Sequence, residues 1–309
     1  MLGLTPPWAN DLALGLKSMT VARRQSRKVA TDLEVLIAYF EPPADEGTGA
    51  SRWLGFDRGR AIGRYDGLRM QSAFQALFVT DTLAPVAFEA LLRAHDAEGR
   101  TVPPEQAFAI PKTPEDIVYF DRLCRTVHAL NFARLARPGD LLFLNVGGGH
   151  LLSVLGGTHG DIFETLLRHC GLKPHQVVLE IIESRIDDLG RLVEAVAAYQ
   201  QRGYRVAIDD FGCRHSNFDR LWQLSPDVVK LDRSLIVQSE INPRARKILP
   251  KLVEIIHDLG AQVVCEGIET PSQHALAASV GVDLVQGFYY GRPQPDLSRQ
   301  SMAGLPGHG

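Results

Sequence analysis

Six short apolar runs, Leu141 to Val146, Val177 to Ile182, Arg205 to Asp209, Val228 to Asp232, Gln262 to Glu266 and Leu284 to Gly287, are separated by stretches that each suit one helix. The helical stretches are Asp161 to Cys170, Leu189 to Arg202, Ser216 to Leu224, Arg244 to Leu259 and Ser272 to Val280. Strands joined through single helices run parallel, because the crossover returns the chain to the same edge. Nearly every run also ends in a polar residue: Asn145, Glu180, Asp209, Lys230, Glu266 and Gln286. An open doubly wound sheet gathers its site at one switch point, whereas a closed barrel draws on many strand ends at one mouth. The spread of polar ends favours an α/β fold of the (β/α)8 TIM-like barrel type over the open sheet.

The stretch Val206-Ala207-Ile208-Asp209-Asp210-Phe211-Gly212 carries the densest chemistry. Successive strand residues point to opposite faces, so two adjacent aspartates share one ligand only if the strand ends at Asp209 and the chain turns, with Gly212 supplying the freedom. Adjacent carboxylates repel and need a shared proton or cation at neutral pH. Glu89, Asn145, Glu180, Asp209, Asp210 and Glu266 are hard oxygen donors, which suit Mg²⁺ or Mn²⁺, and so many acids call for two ions. Lys230 and Asp232, two apart on one strand, are expected to face the interior together and pair. Taken singly, each acid could equally cap a helix; six in register are harder to explain that way. Glu183 and Glu269, three residues past Glu180 and Glu266, read as first-turn helix charges or as supports for the loop after Asp210.

Other motifs carry less. Gly147-Gly148-Gly149-His150 lacks the lysine and spacing of a phosphate loop, and Asp210-Phe211-Gly212 has none of the other kinase signatures. Cys124, Cys170, Cys213 and Cys265 are dispersed, without metal or disulfide spacing, and read as free thiols. The formal charge of −3 gives no basic footprint for DNA. With neither a membrane-length apolar run nor a signal peptide, the expected location is the cytoplasm. Residues 1–68 read as an N-terminal extension, a helix from Val21 to Phe40 followed by a linker from Glu41 to Ala50; residues 69–295 are expected to form the barrel and 296–309 a flexible tail.

As an ordered set the motifs resemble the EAL-domain cyclic di-GMP phosphodiesterases: Glu89-Ala90-Leu91-Leu92-Arg93, Asn145, Leu179-Glu180-Ile181-Ile182-Glu183, Ile208-Asp209-Asp210-Phe211-Gly212, Val229-Lys230-Leu231-Asp232, Val264-Cys265-Glu266-Gly267-Ile268-Glu269-Thr270 and Val285-Gln286-Gly287. The resemblance implies a barrel whose first strand is antiparallel to the rest, and metal-dependent hydrolysis of cyclic di-GMP to linear pGpG. It implies that Glu89, Asn145, Glu180 and Asp209 hold a first ion, and that Asp209 bridges to a second one served by Asp210 and Glu266. Lys230 would orient the attacking water and Gln286 would steady the water or metal surroundings. Gln75 would lie near a guanine, Arg93 near a phosphate, and Glu183 would fix the loop after Asp210. Calcium would inhibit, and a homodimer is implied.

Two departures stand out. Cys213-Arg214-His215-Ser216-Asn217 replaces the family's usual continuation, and Ala76 stands where a proline commonly follows the glutamine. A second reading is therefore a cyclic di-GMP receptor with little hydrolysis, signalling to a protein partner through that loop or the N-terminal segment. A third is a barrel enzyme acting on another phosphate or carboxylate substrate.

Overall fold

The computed structural model describes residues 32–41, 52–147, 151, 158–181, 188–212 and 218–297. Among the described residues eleven strands form one sheet: β1 (Trp53–Asp57), β2 (Arg60–Tyr65), β3 (Leu68–Val79), β4 (Pro85–His95), β5 (Thr101–Val102), β6 (Leu141–Asn145), β7 (Val177–Ile181), β8 (Arg205–Phe211), β9 (Val228–Leu231), β10 (Gln262–Cys265) and β11 (Leu284–Val285). Strands β4 and β6 to β11 pair in parallel, and β3 closes the ring antiparallel to both β4 and β11. The result is the expected eight-stranded barrel with an antiparallel first strand.

One buried apolar residue from every barrel strand forms a plug across the interior: Leu77, Ala87, Phe143, Val178, Ala207, Val228, Val264 and Leu284. The larger core lies outside the ring, between the strands' outer faces and the helices. The longest of these helices, Pro114–Leu135, carries buried Phe120, Leu123, Val127 and Phe132 among buried Asp121, Arg125, His128 and Asn131. Its polar residues are engaged. Asn131 accepts from Ala61 N at 2.8 Å and donates to Ala61 O at 2.9 Å, and His128 Nδ1 meets Ser72 Oγ at 2.8 Å. These contacts fasten β2 and β3 to the helix behind them.

The sheet runs across the expected 68/69 boundary. β1 and β2 join β3 through two hairpins whose central residues, Arg58-Gly59 and Asp66-Gly67, all have positive φ, as tight two-residue turns between twisted strands require. Of the expected helix from Val21 to Phe40, residues 32–39 are helical, and the earlier ones lie outside the described residues. Leu36 and Phe40 are fully buried. Tyr119 donates to Phe40 O at 2.9 Å and His169 Nδ1 meets Asp32 Oδ1 at 2.8 Å, so this segment docks on the barrel's outer helices. At the other end Asp296 pairs with Arg60 at 2.7 Å and Leu297 is buried; residues 298–309 lie outside the description. No helix among the described residues is long and apolar enough to cross a membrane.

Candidate active site

A strand repeats its facing every two residues. One step of two from each plug residue toward the mouth lie Gln75, Glu89, Asn145, Glu180, Asp209, Lys230, Glu266 and Gln286. Seven follow the parallel strands upward; Gln75 precedes Leu77 because β3 runs the other way. A polar ring thus sits on an apolar floor, with one member from each strand.

Lys230 is buried at its centre. Its Nζ contacts Glu180 Oε1, Glu266 Oε1 at 2.5 Å, Asp209 Oδ1 at 3.0 Å and Glu89 Oε2 at 3.7 Å. Gln286 donates to Glu89 Oε2 at 2.9 Å and Asn145 donates to the other oxygen at 3.3 Å, so two amides hold that carboxylate. Burial opposes the Lys230 charge, but the surrounding carboxylates outweigh it and hold the pKa well above the usual lysine value. Burial likewise lifts Glu180 well above the carboxylate range, against the pull of Lys230. Glu266 is pushed up to about 8 by burial, with Asp209 and Glu89 adding to the rise and Lys230 opposing it.

Asp209 and Asp210 reach the mouth by a route the sequence reading did not foresee. The strand does not end at Asp209; β8 continues to Phe211. Ile208 pairs with Val229 and Phe211 with Leu231, so three steps on β8 match two on β9. The extra residue is a β-bulge, with Asp210 at φ 56°. This kink lets neighbouring carboxylates converge, and oxygens of Asp209, Asp210 and Glu266 lie within 4.8 Å of one another. Gly212, at φ 96°, follows where any Cβ would overlap the Leu235 side chain.

Asp232 does not pair with Lys230. β9 ends at Leu231, and Asp232 caps the helix Arg233–Ile241 by accepting from Ser234 N at 3.0 Å. Once the strand has ended, the two-residue rule no longer aims a side chain inward. Glu269 is exposed and bonds Arg233 Nη2 at 2.5 Å, just before the helix Pro271–Ser279. Glu183 and the loop 213–217 lie outside the described residues. Gln75 pairs across the sheet with Glu89 and donates to Gly291 O at 3.2 Å. Arg93 is half-buried on the same face of β4 as Glu89, and its Nη1 donates to Leu92 O at 3.0 Å. Burial lowers its pKa and Glu89 partly restores it.

Beyond the mouth, β3 and β4 project as a flange. The face that continues from Glu89 and Gln75 carries Arg69, Gln71 and His95, with Arg64 alongside on β2; the sequence reading assigned these residues nothing. The overlooked signal was Tyr65-Asp66-Gly67-Leu68, an Asp-Gly turn between alternating runs.

Comparison with known proteins agrees with this geometry. Residues 63–293 match the EAL domain model. The chain is 30% identical over 165 residues to the cyclic di-GMP phosphodiesterase RocR of Pseudomonas aeruginosa, a match covering 53% of this chain and 41% of RocR. It is 31% identical over 131 residues to the probable cyclic di-GMP phosphodiesterase PdeA of Escherichia coli, covering 42% of this chain and 18% of PdeA. The manganese and cyclic di-GMP complex of Klebsiella pneumoniae BlrP1 superposes with a TM-score of 0.65 at 30% identity, over 73% of this chain and 56% of that one. The matches thus span less than two thirds of each relative's length. With an antiparallel first strand, the ordered motifs and a family match over most of its length, the chain belongs to the EAL domain family.

Proposed function

We propose that the protein is a divalent-metal-dependent phosphodiesterase that opens cyclic di-GMP to linear pGpG. The observation that carries this reading is the charge at the mouth. Glu89, Glu180, Asp209 and Glu266 surround one ammonium with Asp210 beside them, and if all five ionised as ligands the excess of four negative charges would match two divalent ions. Glu180 Oε1 and Asp209 Oδ1 are held by ion pairs with Lys230, whereas Glu180 Oε2 is buried without a hydrogen-bond partner. Buried carboxylate oxygens left this way are costly unless a cation meets them. The donors are all oxygen, as Mg²⁺ or Mn²⁺ prefers.

Glu89, Asn145, Glu180 and Asp209 would hold one ion, and Asp209, Asp210 and Glu266 a second. When bound, such ions polarise the phosphodiester and lower the pKa of water near neutrality. The chain's own contribution is placement. Lys230 stays charged and offers a fixed ammonium to the negative charge developing on the phosphoryl oxygens, in a site too buried for bulk water to screen it. Gln286 and Asn145 fix the orientation of Glu89. Arg93 and Gln75, on the flange side of the ring, would meet a phosphate and a guanine respectively.

A homodimer fits the same reading: exposed Ile248 and Ile255 lie seven residues apart on one face of the helix Pro243–Asp258, and exposed Ile241 ends the helix before it. Light scattering on the full chain and on Ile248→Glu tests that assignment.

The deciding experiment follows nucleotide products by chromatography with Mg²⁺, with Mn²⁺, with Ca²⁺ and with chelator. The expected result is pGpG with Mg²⁺ or Mn²⁺, none with chelator or Ca²⁺, and none from Glu89→Ala. Saturated binding of cyclic di-GMP without turnover in either ion would replace the enzyme by a receptor.

A further inference from the structure

The flange bears an open cavity of about 330 Å³ lined by Arg64, Arg69, Gln71, His95 and Asp96, within the size range of small-molecule sites. It lies on the strand face that also bears Glu89, because Gln71 pairs with Arg93 and Arg69 with His95 in one register. Six residue steps along β4 lead from Glu89 to His95, about 20 Å of strand. The cavity thus begins at Gln71, opposite Arg93, and its far end, lined by Arg64, Arg69 and His95, lies well away from the acids of the ring.

Its cations are incompletely matched by acids. Arg64 makes no carboxylate ion pair among the described residues; its guanidinium sits 5.8 Å from the Trp53 ring, which lies across Gly55 where a Cβ would collide with it. Arg69 Nη2 bonds Asp57, yet its Nε is buried without a hydrogen-bond partner. Asp96 is already engaged, accepting from Arg100 Nε at 2.6 Å, Arg100 N at 2.8 Å and Glu98 N at 3.1 Å. Arginines with an imidazole suit phosphate oxygens, since a guanidinium presents a planar fork of donors. The Gln71 amide adds both a donor and an acceptor for a base or sugar edge.

We propose that this cavity is a second, non-catalytic site for a phosphate-bearing nucleotide of mononucleotide size. It does not depend on the activity assigned to the mouth. The test is calorimetry on the full chain in chelator with GMP and with guanosine, so that metal at the mouth contributes nothing. The expected result is one GMP per chain, bound at least tenfold more tightly than guanosine, with affinity falling at least tenfold in both Arg64→Glu and His95→Glu. These variants lie on different strands, and unliganded melting curves check their folds. Glu89→Gln should bind GMP as the parent does. No GMP binding at millimolar concentration, guanosine binding as tightly as GMP, undiminished affinity in both flange variants, or loss in Glu89→Gln would each overturn the proposal. Absence of phosphodiesterase turnover would leave it standing.

Discussion

The mouth and the flange share two strands and one face, yet they are built by opposite rules. At the mouth, eight strands each contribute a side chain to a closed ring, and acids outnumber the one buried ammonium. On the flange, two hairpins extend β3 and β4 past the ring, and the exposed face is mostly basic. The ring has no edge, so its side chains are fixed from both neighbours; the flange relies on the helix Pro114–Leu135 behind it. Closure therefore supports a costly buried charge cluster, while an open extension tolerates only partly exposed charge.

The most severe way to break this contrast is Lys230→Met. Removing the ammonium leaves buried carboxylates facing one another, a change that typically costs about 3–5 kcal/mol. Phosphodiesterase turnover should fall by about 10³-fold, as loss of a preorganised electrostatic group does. Thermal melting in chelator should show the destabilisation, with Mg²⁺ recovering part of it. A variant as stable in chelator as the parent would mean that the ring does not depend on its central charge.

Gly287→Ala tests how tightly the ring is closed. A Cβ there would overlap the backbone oxygen and nitrogen of Ile268, whose N donates to Gln286 O at 3.0 Å. Backbone cannot swing aside as a side chain can, so the expected cost is about 3 kcal/mol, at the upper end for overpacking. Denaturant unfolding measures it. Because Gln286 precedes the substituted residue and accepts from the clashing Ile268 N, activity should fall more than stability explains.

The two regions also differ in how far the sequence exposed them. Parallel strands and their helices stood out because apolar runs alternate with helical stretches, and the ring because its polar members fall at strand ends. The hairpins were missed: β2 reads Arg-Ala-Ile-Gly-Arg-Tyr, with charges and a glycine diluting the apolar signal, and only Asp66-Gly67 marked the turn. Helix Pro114–Leu135 escaped for a related reason. Its buried face carries Asp121, Arg125, His128 and Asn131, so the hydrophobic period that advertises a helix is blurred by buried polar groups. The β8 bulge left no pattern at all, since one inserted residue looks like any other until a partner strand defines the register.

The polar face of that helix supplies a pH test of the flange's support. His128 is buried, and burial together with Arg93 and Arg125 lowers its pKa to about 3. In the unfolded chain it titrates near 6.5, so between these values the unfolded state binds a proton that the folded state refuses. The resulting stability is complete above about pH 6.5 and is lost as pH falls toward 3. From pH 7 to 5 this one residue should contribute about 2 kcal/mol to the loss. Urea unfolding of the parent and of His128→Gln at both pH values measures it, and the variant should show a smaller decline by about that amount.

The gentlest probe is Asp232→Ala, which asks where the ring's influence stops. Asp232 lies two residues beyond Lys230, but it faces the start of a helix, where its carboxylate accepts from Ser234 N and its own N–H donates to Phe211 O at 2.9 Å. The backbone bond survives the substitution and the side-chain cap does not. Loss of an N-cap costs about 1 kcal/mol, read as a small drop in melting temperature. Turnover of cyclic di-GMP should stay within about twofold of the parent, because no ring carboxylate or ammonium loses a partner. A hundredfold loss at unchanged stability would place Asp232 in the ring's electrostatics after all, and the layer of eight would have to be drawn one residue wider.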